Sequence, residues 1–113
     1  MDKNTLTVMN DLRQYIDFVS KRIKIKKVIL FGSYAKGNAS ENSDVDIAIV
    51  SPQLGKSPLL EKLELYEWRF DSNTSNDLQP VPISEEAFDR EDDFFISEIK
   101  RTGIDITEEL QIA

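Results

Sequence analysis

The stretch LFGSYAKGNASENSDVDIAIV, residues 30–50, decides the fold and points to the function. An apolar strand leads into Gly32 and Ser33, and ten residues separate Ser33 from Asp44, where a second strand opens. Asp44 and Asp46 are two positions apart, so on a strand their side chains point to the same face and can converge on one cation. Two carboxylates beside a glycine-serine turn predict a site for a metal ion and a phosphate.

The turn itself has the chemistry of a phosphate site. Gly32 lets the backbone approach a ligand without a Cβ, and Ser33 offers both a hydroxyl and an amide. If a short helix begins there, its unpaired N–H groups and its positive end favour an anion. Lys36, about one turn later, either adds a charge to that phosphate or is an ordinary solvated helix residue. The sequence therefore predicts Gly32 and Ser33 as phosphate-binding residues, with Lys36 as a further candidate.

Asp46 is the more informative of the two acids because it lies within the otherwise apolar run VDIAIV. A buried carboxylate without a cation or hydrogen-bond donors is costly, which favours a metal role over a turn cap or a solvated acid. A site for two cations needs a further carboxylate. Asp77, at the start of the third predicted strand, is the nearest candidate. Gln79 shares the face of Asp77 and cannot replace a carboxylate.

Composition narrows the chemistry further. A length of 113 residues predicts one domain over residues 1–113, too small for a separate acceptor-binding domain. The net charge of -7 argues against direct binding of nucleic acid, whereas a nucleotide accompanied by magnesium is compatible with it. The chain has no cysteine and no histidine, so any metal site must use oxygen ligands, which suit Mg²⁺, Mn²⁺ or Ca²⁺. No signal peptide or membrane-spanning run is visible, so we expect a cytoplasmic protein without membrane contact.

Two better-known motifs are excluded. A Walker A loop requires lysine and then serine or threonine after its second glycine, but Gly37 is followed by Asn38 and Ala39. An EF-hand requires a glycine after its third loop acid, whereas Asp46 is followed by the strand residues 47–50.

Helices and strands alternate along the predicted chain. The third strand contains Pro80 and Pro82, which remove donors from the ladder, so we expect it to be interrupted and to lie at a sheet edge or end early. Ser57 followed by Pro58 predicts the start of a long helix, and Ser84 the start of a short one. The predicted elements are a helix over 5–20, strands over 28–31 and 45–50, a helix from 58, a strand over 78–83, helices from 84 and over 91–102, and a strand around 104–106.

Two helices have core faces that can be predicted from their apolar spacing. In the helix after Pro58 the predicted core stripe is Leu59, Leu63, Tyr66 and Phe70. Leu65 and Trp68 lie off this stripe, where they either pack inside a small domain or face a partner protein. The helix over 91–102 is expected to pack through Phe95 and Ile99 and to end at Gly103 in a C-cap position.

Taken together, Gly32-Ser33, the ten-residue gap and Asp44-Val45-Asp46 resemble the signature of the nucleotidyltransferase fold of the polymerase-beta-like superfamily. The fuller string GSYAKG…NSDVDIAIV is similar to the minimal nucleotidyltransferases that act as antitoxins to HEPN-domain toxins. A weaker similarity extends to the final run KRTGIDI, residues 100–106. The resemblance implies an α+β nucleotidyltransferase fold, with a small mixed sheet of about four strands flanked by helices.

The resemblance also implies roles for the site residues. Gly32 and Ser33 would hold the triphosphate of ATP or another NTP, and Asp44 and Asp46 would bind Mg²⁺, with two ions expected. Asp77 would complete the site and activate the attacking hydroxyl. Alternatively Gln79 occupies the equivalent position, in which case the third ligand is missing and catalysis is impaired.

Three functions follow from this resemblance. The first is transfer of a nucleoside monophosphate, AMP from ATP, to a hydroxyl on a cognate HEPN-type toxin, which makes the chain an antitoxin. The second is a catalytically impaired antitoxin or interaction module that neutralises its partner by binding. A small-molecule transferase of the antibiotic-modifying kind is less favoured, because such enzymes carry an additional acceptor-binding domain.

Overall fold

The structure, a computed structural model, describes residues 3–37, 39, 43–91 and 93–110, so part of the loop between Gly37 and Ser43 lies outside it. The order of elements is the predicted one, and the predicted α+β class is confirmed. In chain order the elements are α1 (Lys3–Ser20), β1 (Lys27–Phe31), α2 (Ser33–Lys36), β2 (Val45–Ser51), α3 (Pro58–Asp71), β3 (Leu78–Ser84), α4 (Glu85–Arg90), α5 (Phe94–Thr102) and β4 (Ile104–Asp105).

The four described strands form one mixed sheet in the order β3-β2-β1-β4. β1 runs antiparallel to β2 and pairs Phe31 with Asp46, while β4 runs antiparallel to β1 on its other side. β2 and β3 are parallel and pair Val45 with Leu78. The end of β1 and the starts of β2 and β3 therefore meet at the same end of the sheet, and this is the end that carries the predicted site.

β3 lies at an edge of this sheet, as its prolines predicted, but the expected interruption is wrong. The strand pairs with β2 continuously from Leu78 to Ser84, through both Pro80 and Pro82. Alternate residues of an edge strand direct their N–H groups away from the neighbouring strand, so two prolines at alternate positions leave the ladder to β2 intact.

The core has one cluster on each face of the sheet. On one face α1 and α3 bury side chains such as Leu12, Tyr15 and Leu65 against β1 and β2. The Tyr15 hydroxyl donates a hydrogen bond of 2.7 Å to the Leu65 carbonyl, and burial raises the pKa of Tyr15 well above its usual value. On the other face α4 and α5 cover the sheet with Phe88, Ile96 and Ile99. Within the described part of the chain, no helix combines the length and the hydrophobicity needed to cross a bilayer.

The predicted core stripe of α3 is wrong for three of its four members. Leu59, Leu63 and Phe70 are 72%, 56% and 68% exposed, and Tyr66 is half-buried, whereas Leu65 is 1% exposed. Trp68 packs partly against the core, with its ring 6.4 Å from that of Phe18. The inward placement of Leu65 and Trp68 confirms packing within the domain for these two residues.

Polar residues explain why apolar spacing identified the wrong face of α3. The Glu61 carboxylate accepts hydrogen bonds from the backbone amides of Gly55, Lys56 and Ser57. The Arg69 guanidinium donates to the carbonyls of Asn76 and Leu78 at 2.7 and 2.8 Å. Glu61, Leu65, Trp68 and Arg69 follow helical spacing, so the inward stripe contains charged side chains whose partners are backbone groups.

α5 also differs in detail from its prediction. Glu91, with a φ of 53°, ends α4, and α5 begins at Phe94 after Asp93, whose side chain accepts a hydrogen bond from the Ile96 amide. Its buried residues are Ile96 and Ile99, whereas Phe95 is 44% exposed. The expected packing through Ile99 is confirmed, and the expected burial of Phe95 is wrong.

Gly103 follows α5 and donates to the Ile99 carbonyl, as expected for a residue that closes the helix. Its φ of −78° is accessible to any residue, so a left-handed cap does not explain the glycine. A Cβ there would lie 2.6 Å from the Ile29 side chain, so close packing against β1 explains it. The terminal strand covers Ile104–Asp105, and Ile106 is buried directly after it.

Candidate active site

The Gly32-Ser33 turn and the β2 acids lie together at one end of the sheet. Phe31, the last residue of β1, pairs with Asp46, so the turn that follows Phe31 lies beside the start of β2. α2 begins at Ser33, and its first turn is closed by a hydrogen bond of 3.1 Å from the Lys36 amide to the Gly32 carbonyl. The short helix that phosphate binding at this turn would need is therefore present, and it starts next to the predicted acids.

Glycine is required at position 32 for two independent reasons. Its φ of 72° is one that L side chains rarely adopt. In addition, a Cβ at this position would overlap the Oδ2 atom of Asp46. The backbone of the turn therefore packs directly against the Asp46 carboxylate, and any side chain at position 32 would displace that carboxylate.

Asp46 carries an electrostatic cost in the folded chain. Burial raises the pKa of its carboxyl above the usual range, and the nearby charge of Asp44 raises it further. Asp44 itself is exposed, and Asp46 is half-buried. A cation beside the two carboxylates would offset both effects, because it would replace lost hydration and screen the repulsion. Two neighbouring carboxylates that have lost hydration and repel each other fit a hard divalent cation, which prefers oxygen ligands.

The remaining phosphate candidates lie on α2. Ser33 is half-buried at the first position of the helix, and Lys36 is exposed in its last turn. Both residues belong to the short helix that follows Gly32, whose backbone packs against Asp46. Their roles in phosphate binding stay predictions.

The two candidates for the third ligand occupy different places. Gln79 pairs with Asp46 in the β2–β3 ladder, while Asp77 precedes the first pair of that ladder. The Asp77 carbonyl accepts from the Val45 amide at 2.8 Å, and its side chain is exposed. Over residues 3–37, 39, 43–91 and 93–110, no three acids, histidines or cysteines are grouped in a way that could hold a metal ion.

Side-chain hydrogen bonds fix the amide of Gln79. Its Oε1 atom accepts from the Tyr66 hydroxyl at 3.1 Å, and its Nε2 atom donates to the Asn76 carbonyl at 3.2 Å. The residue beside Asp46 is therefore a neutral amide held in place by α3 and the preceding turn. The structure brings together Asp44, Asp46, Gly32 and Ser33, and it does not bring Asp77 into a three-carboxylate group with Asp44 and Asp46.

Residues 12–110 of the chain match the nucleotidyltransferase domain family. The chain belongs to this family.

Three relatives from Methanocaldococcus jannaschii carry the name "Putative protein adenylyltransferase". MJ1379 is 37% identical over 57 residues, which cover 50% of this chain and 57% of the relative. MJ0604 is 49% identical over 47 residues, covering 37% of this chain and 47% of the relative. The chain thus spans about half the length of these two proteins. MJ0141 is 28% identical over 105 residues and is covered to 97% of its length, against 89% of this chain.

A solved structure shares the fold. The crystal structure described as that of a "putative nucleotidyltransferase" from Sulfolobus solfataricus superposes with a TM-score of 0.63 and 19% sequence identity. The match covers 78% of this chain and 77% of that one. At this identity the similarity establishes the nucleotidyltransferase fold.

This nucleotidyltransferase domain also has a small cleft that apolar spacing did not predict. The cleft has a volume of about 150 Å³ and is lined in part by Asp11, Tyr34, Val45, Ser75 and Asp77. The Ser75 amide donates to Asp11 Oδ2 at 3.0 Å, which links α1 to the turn before β3. Asp77 therefore lines a cleft together with an acid of α1 that no sequence motif marks.

Proposed function

We propose that this chain transfers AMP from ATP to a hydroxyl on a partner protein. The observation that supports the proposal is the packing of the Gly32 backbone against Asp46 Oδ2, which joins the predicted phosphate-binding turn to a strand acid in a member of the nucleotidyltransferase family. The acceptor oxygen forms a bond to the α-phosphorus, the bond to the pyrophosphate oxygen breaks, and the hydroxyl proton passes to solvent or to a carboxylate of the site.

The residues of the turn bind and orient the substrate in this proposal. The backbone at Gly32 and the amide and hydroxyl of Ser33 hold the terminal phosphates, and the Lys36 ammonium lies one turn further along α2. These groups fix the direction in which pyrophosphate leaves, so they act by alignment and by electrostatic stabilisation.

Asp44 and Asp46 are the proposed Mg²⁺ ligands, and the raised pKa of Asp46 supports a cation beside them. Magnesium supplies charge neutralisation on the triphosphate and on the leaving pyrophosphate. Asp77 is the proposed third acid, with Gln79 as the competing position. Two ions are expected if Asp77 contributes.

The names of the M. jannaschii relatives support a protein as the acceptor. We propose as partner a helical toxin of the HEPN type, for which this chain is the antitoxin. The experiment uses the chain, the purified product of a neighbouring reading frame if that product is a small helical protein, magnesium and α-phosphate-labelled ATP. We expect label on the partner with the wild-type chain and none with Asp46→Asn.

The matched control for this experiment is Asp17→Asn. Asp17 is a highly exposed acid on α1 that pairs with Lys21, so its neutralisation should leave the transfer of label unchanged. Equal labelling by the wild type and Asp46→Asn would refute the role of Asp46. Absence of label from every chain, with a stable complex between the two proteins, would favour binding without catalysis.

A second function, neutralisation of the partner by binding alone, is favoured by one specific observation. The ladder pairs Asp46 with Gln79, whose amide can neither accept a proton from a hydroxyl nor add negative charge to a metal site. In this alternative, nucleotide binding at Gly32 and Asp46 persists without turnover.

A further inference from the structure

Two phenylalanine rings stand beside the proposed nucleotide site. The ring of Phe95 lies edge to face against that of Phe31, with centroids 5.6 Å apart and planes at 83°. Phe31 is half-buried against the core, and Phe95 remains 44% exposed although it is a large apolar side chain. The packing of α5 does not require this ring, because Ile96 and Ile99 supply its buried contacts.

The backbone fixes where this pair lies. Phe31 precedes Gly32 and is the antiparallel partner of Asp46, so the side chains of Phe31 and Asp46 stand next to each other on the same face of the sheet. The side chain of Asp93 caps α5 through a hydrogen bond of 2.8 Å to the Ile96 amide. This cap holds Phe95 in the first turn of the helix, where its ring lies against that of Phe31, the strand partner of Asp46.

We propose that the exposed surface of Phe95, supported by Phe31, stacks against the base of the nucleotide whose phosphates bind at Gly32. The inference rests on the proposed function, since it requires a nucleotide at that site. A phenyl ring offers a nucleobase a π surface and no hydrogen-bonding group. Phe95 therefore contributes affinity for any base, with more for the larger surface of a purine than for a pyrimidine.

Calorimetric titration separates this contact from the phosphate contacts. The probes are ATP, CTP and inorganic triphosphate, each with magnesium, added to the wild-type chain and to Phe95→Leu. Leucine keeps an apolar contact with Phe31, so the variant should fold, but it lacks the aromatic face. We expect ATP to bind on the order of tenfold more weakly to Phe95→Leu, CTP to lose less, and inorganic triphosphate to bind with unchanged affinity.

Two further variants complete the test. Phe95→Tyr restores an aromatic face and should restore ATP affinity, and Phe94→Ala removes the adjacent ring, which is 78% exposed, and should leave affinity unchanged. Equal weakening of ATP and inorganic triphosphate in Phe95→Leu, or no weakening of ATP, would overturn the stacking role. A wild-type chain that binds inorganic triphosphate and ATP equally well would overturn it while leaving the phosphate site intact. A wild-type chain that binds neither would refute the proposed function and, with it, the stacking role.

Discussion

A methyl group at position 32 tests the geometry of the site directly, because it meets two obstacles at once. The φ of Gly32 is 72°, and a Cβ would overlap Asp46 Oδ2. Gly37, at the other end of α2, meets only the first obstacle: its φ is 76°, and no neighbouring atom of the described structure lies within 4 Å of an added Cβ. Gly37→Ala is therefore a control for a positive φ without the collision, although its ψ of 15° is the left-handed helical value and the ψ of −148° at Gly32 is one that only glycine readily adopts.

The two obstacles have separable magnitudes. A non-glycine residue in the left-handed region costs about 1 kcal/mol, so we expect Gly37→Ala to lower the free energy of unfolding by about that amount. Gly32→Ala adds the less favourable ψ of −148° and the displacement of a packed side chain, which together cost a further 1 to 3 kcal/mol or so. The expected total for Gly32→Ala is about 2 to 4 kcal/mol.

Urea denaturation of Gly32→Ala, Asp46→Ala and the double variant measures the collision itself. Asp46→Ala removes the carboxylate that the new methyl group would meet, so Gly32→Ala should cost at least about 1 kcal/mol less in that background. Magnesium-dependent ATP binding gives a second measurement. Gly32→Ala should abolish it, because the carboxylate is displaced, and Gly37→Ala should preserve it.

Additivity of the two substitutions within about 0.5 kcal/mol would refute the contact between Gly32 and Asp46. Equal loss of stability in Gly32→Ala and Gly37→Ala would do the same. If Gly32→Ala retains ATP binding, the contact between Gly32 and Asp46 is not needed for that binding. Asp46 would then act from a displaced position.

Three other predictions follow from the described structure. Leu65→Ala should lower the free energy of unfolding by about 2 to 5 kcal/mol, because Leu65 is buried. Leu63→Ala, on the exposed face of the same helix, should change it by less than about 0.5 kcal/mol. Equal effects of the two substitutions in urea denaturation would contradict the assignment of the core face. Gln79→Glu should raise the affinity for Mn²⁺ measured by calorimetry and lower stability without metal, because it places a third carboxylate beside Asp46; the opposite signs would argue against a cation site there. Burial alone would raise the pKa of Asp105, but hydrogen bonds from Thr107 and the charge of Lys27 outweigh it and lower that pKa below its usual 3.8. The Asp105 carboxylate therefore stabilises the fold above that value and loses this effect as the pH falls through the lowered pKa, so Asp105→Asn should cost less than about 1 kcal/mol at neutral pH and nothing in strong acid.

The central part of the site could be predicted from the sequence because it depends on local geometry. Asp44 and Asp46 are two positions apart at the start of β2, and Gly32 directly follows β1, which pairs with β2. Because β1 and β2 are antiparallel neighbours, the end of β1 lies beside the start of β2. The site could therefore be located without predicting the structure of the loop between the two strands.

The core face of α3 could not be predicted, because backbone groups of the neighbouring loops and of β3 satisfy two of its charged side chains. Glu61 and Arg69 face inward, where backbone amides and carbonyls of the flanking loops and β3 satisfy them. Prediction of a core face from the spacing of apolar residues assumes that charged residues such as these face solvent. It therefore assigned Leu59 and Leu63 to the core, although they lie on the exposed face.

The sequence also could not decide whether Asp77 or Gln79 lies beside Asp46, because that depends on the register of the strands. The two residues share one face of a strand, so alternation treats them alike. The register is fixed by the turn before β3, where the Val45 amide bonds to the Asp77 carbonyl and Arg69 holds the carbonyls of Asn76 and Leu78. These contacts place Gln79 beside Asp46.

The edge formed by β3 limits how this domain can assemble. Pro80 and Pro82 offer no N–H groups to an incoming strand, and the Leu78 carbonyl is already bonded to Arg69. A strand edge that lacks two alternate donors in its centre is a poor template for intermolecular β-sheet, so this edge resists both amyloid-like stacking and capture of an extended peptide. Under the proposed function, an acceptor protein would then not dock on the β3 edge as an added strand.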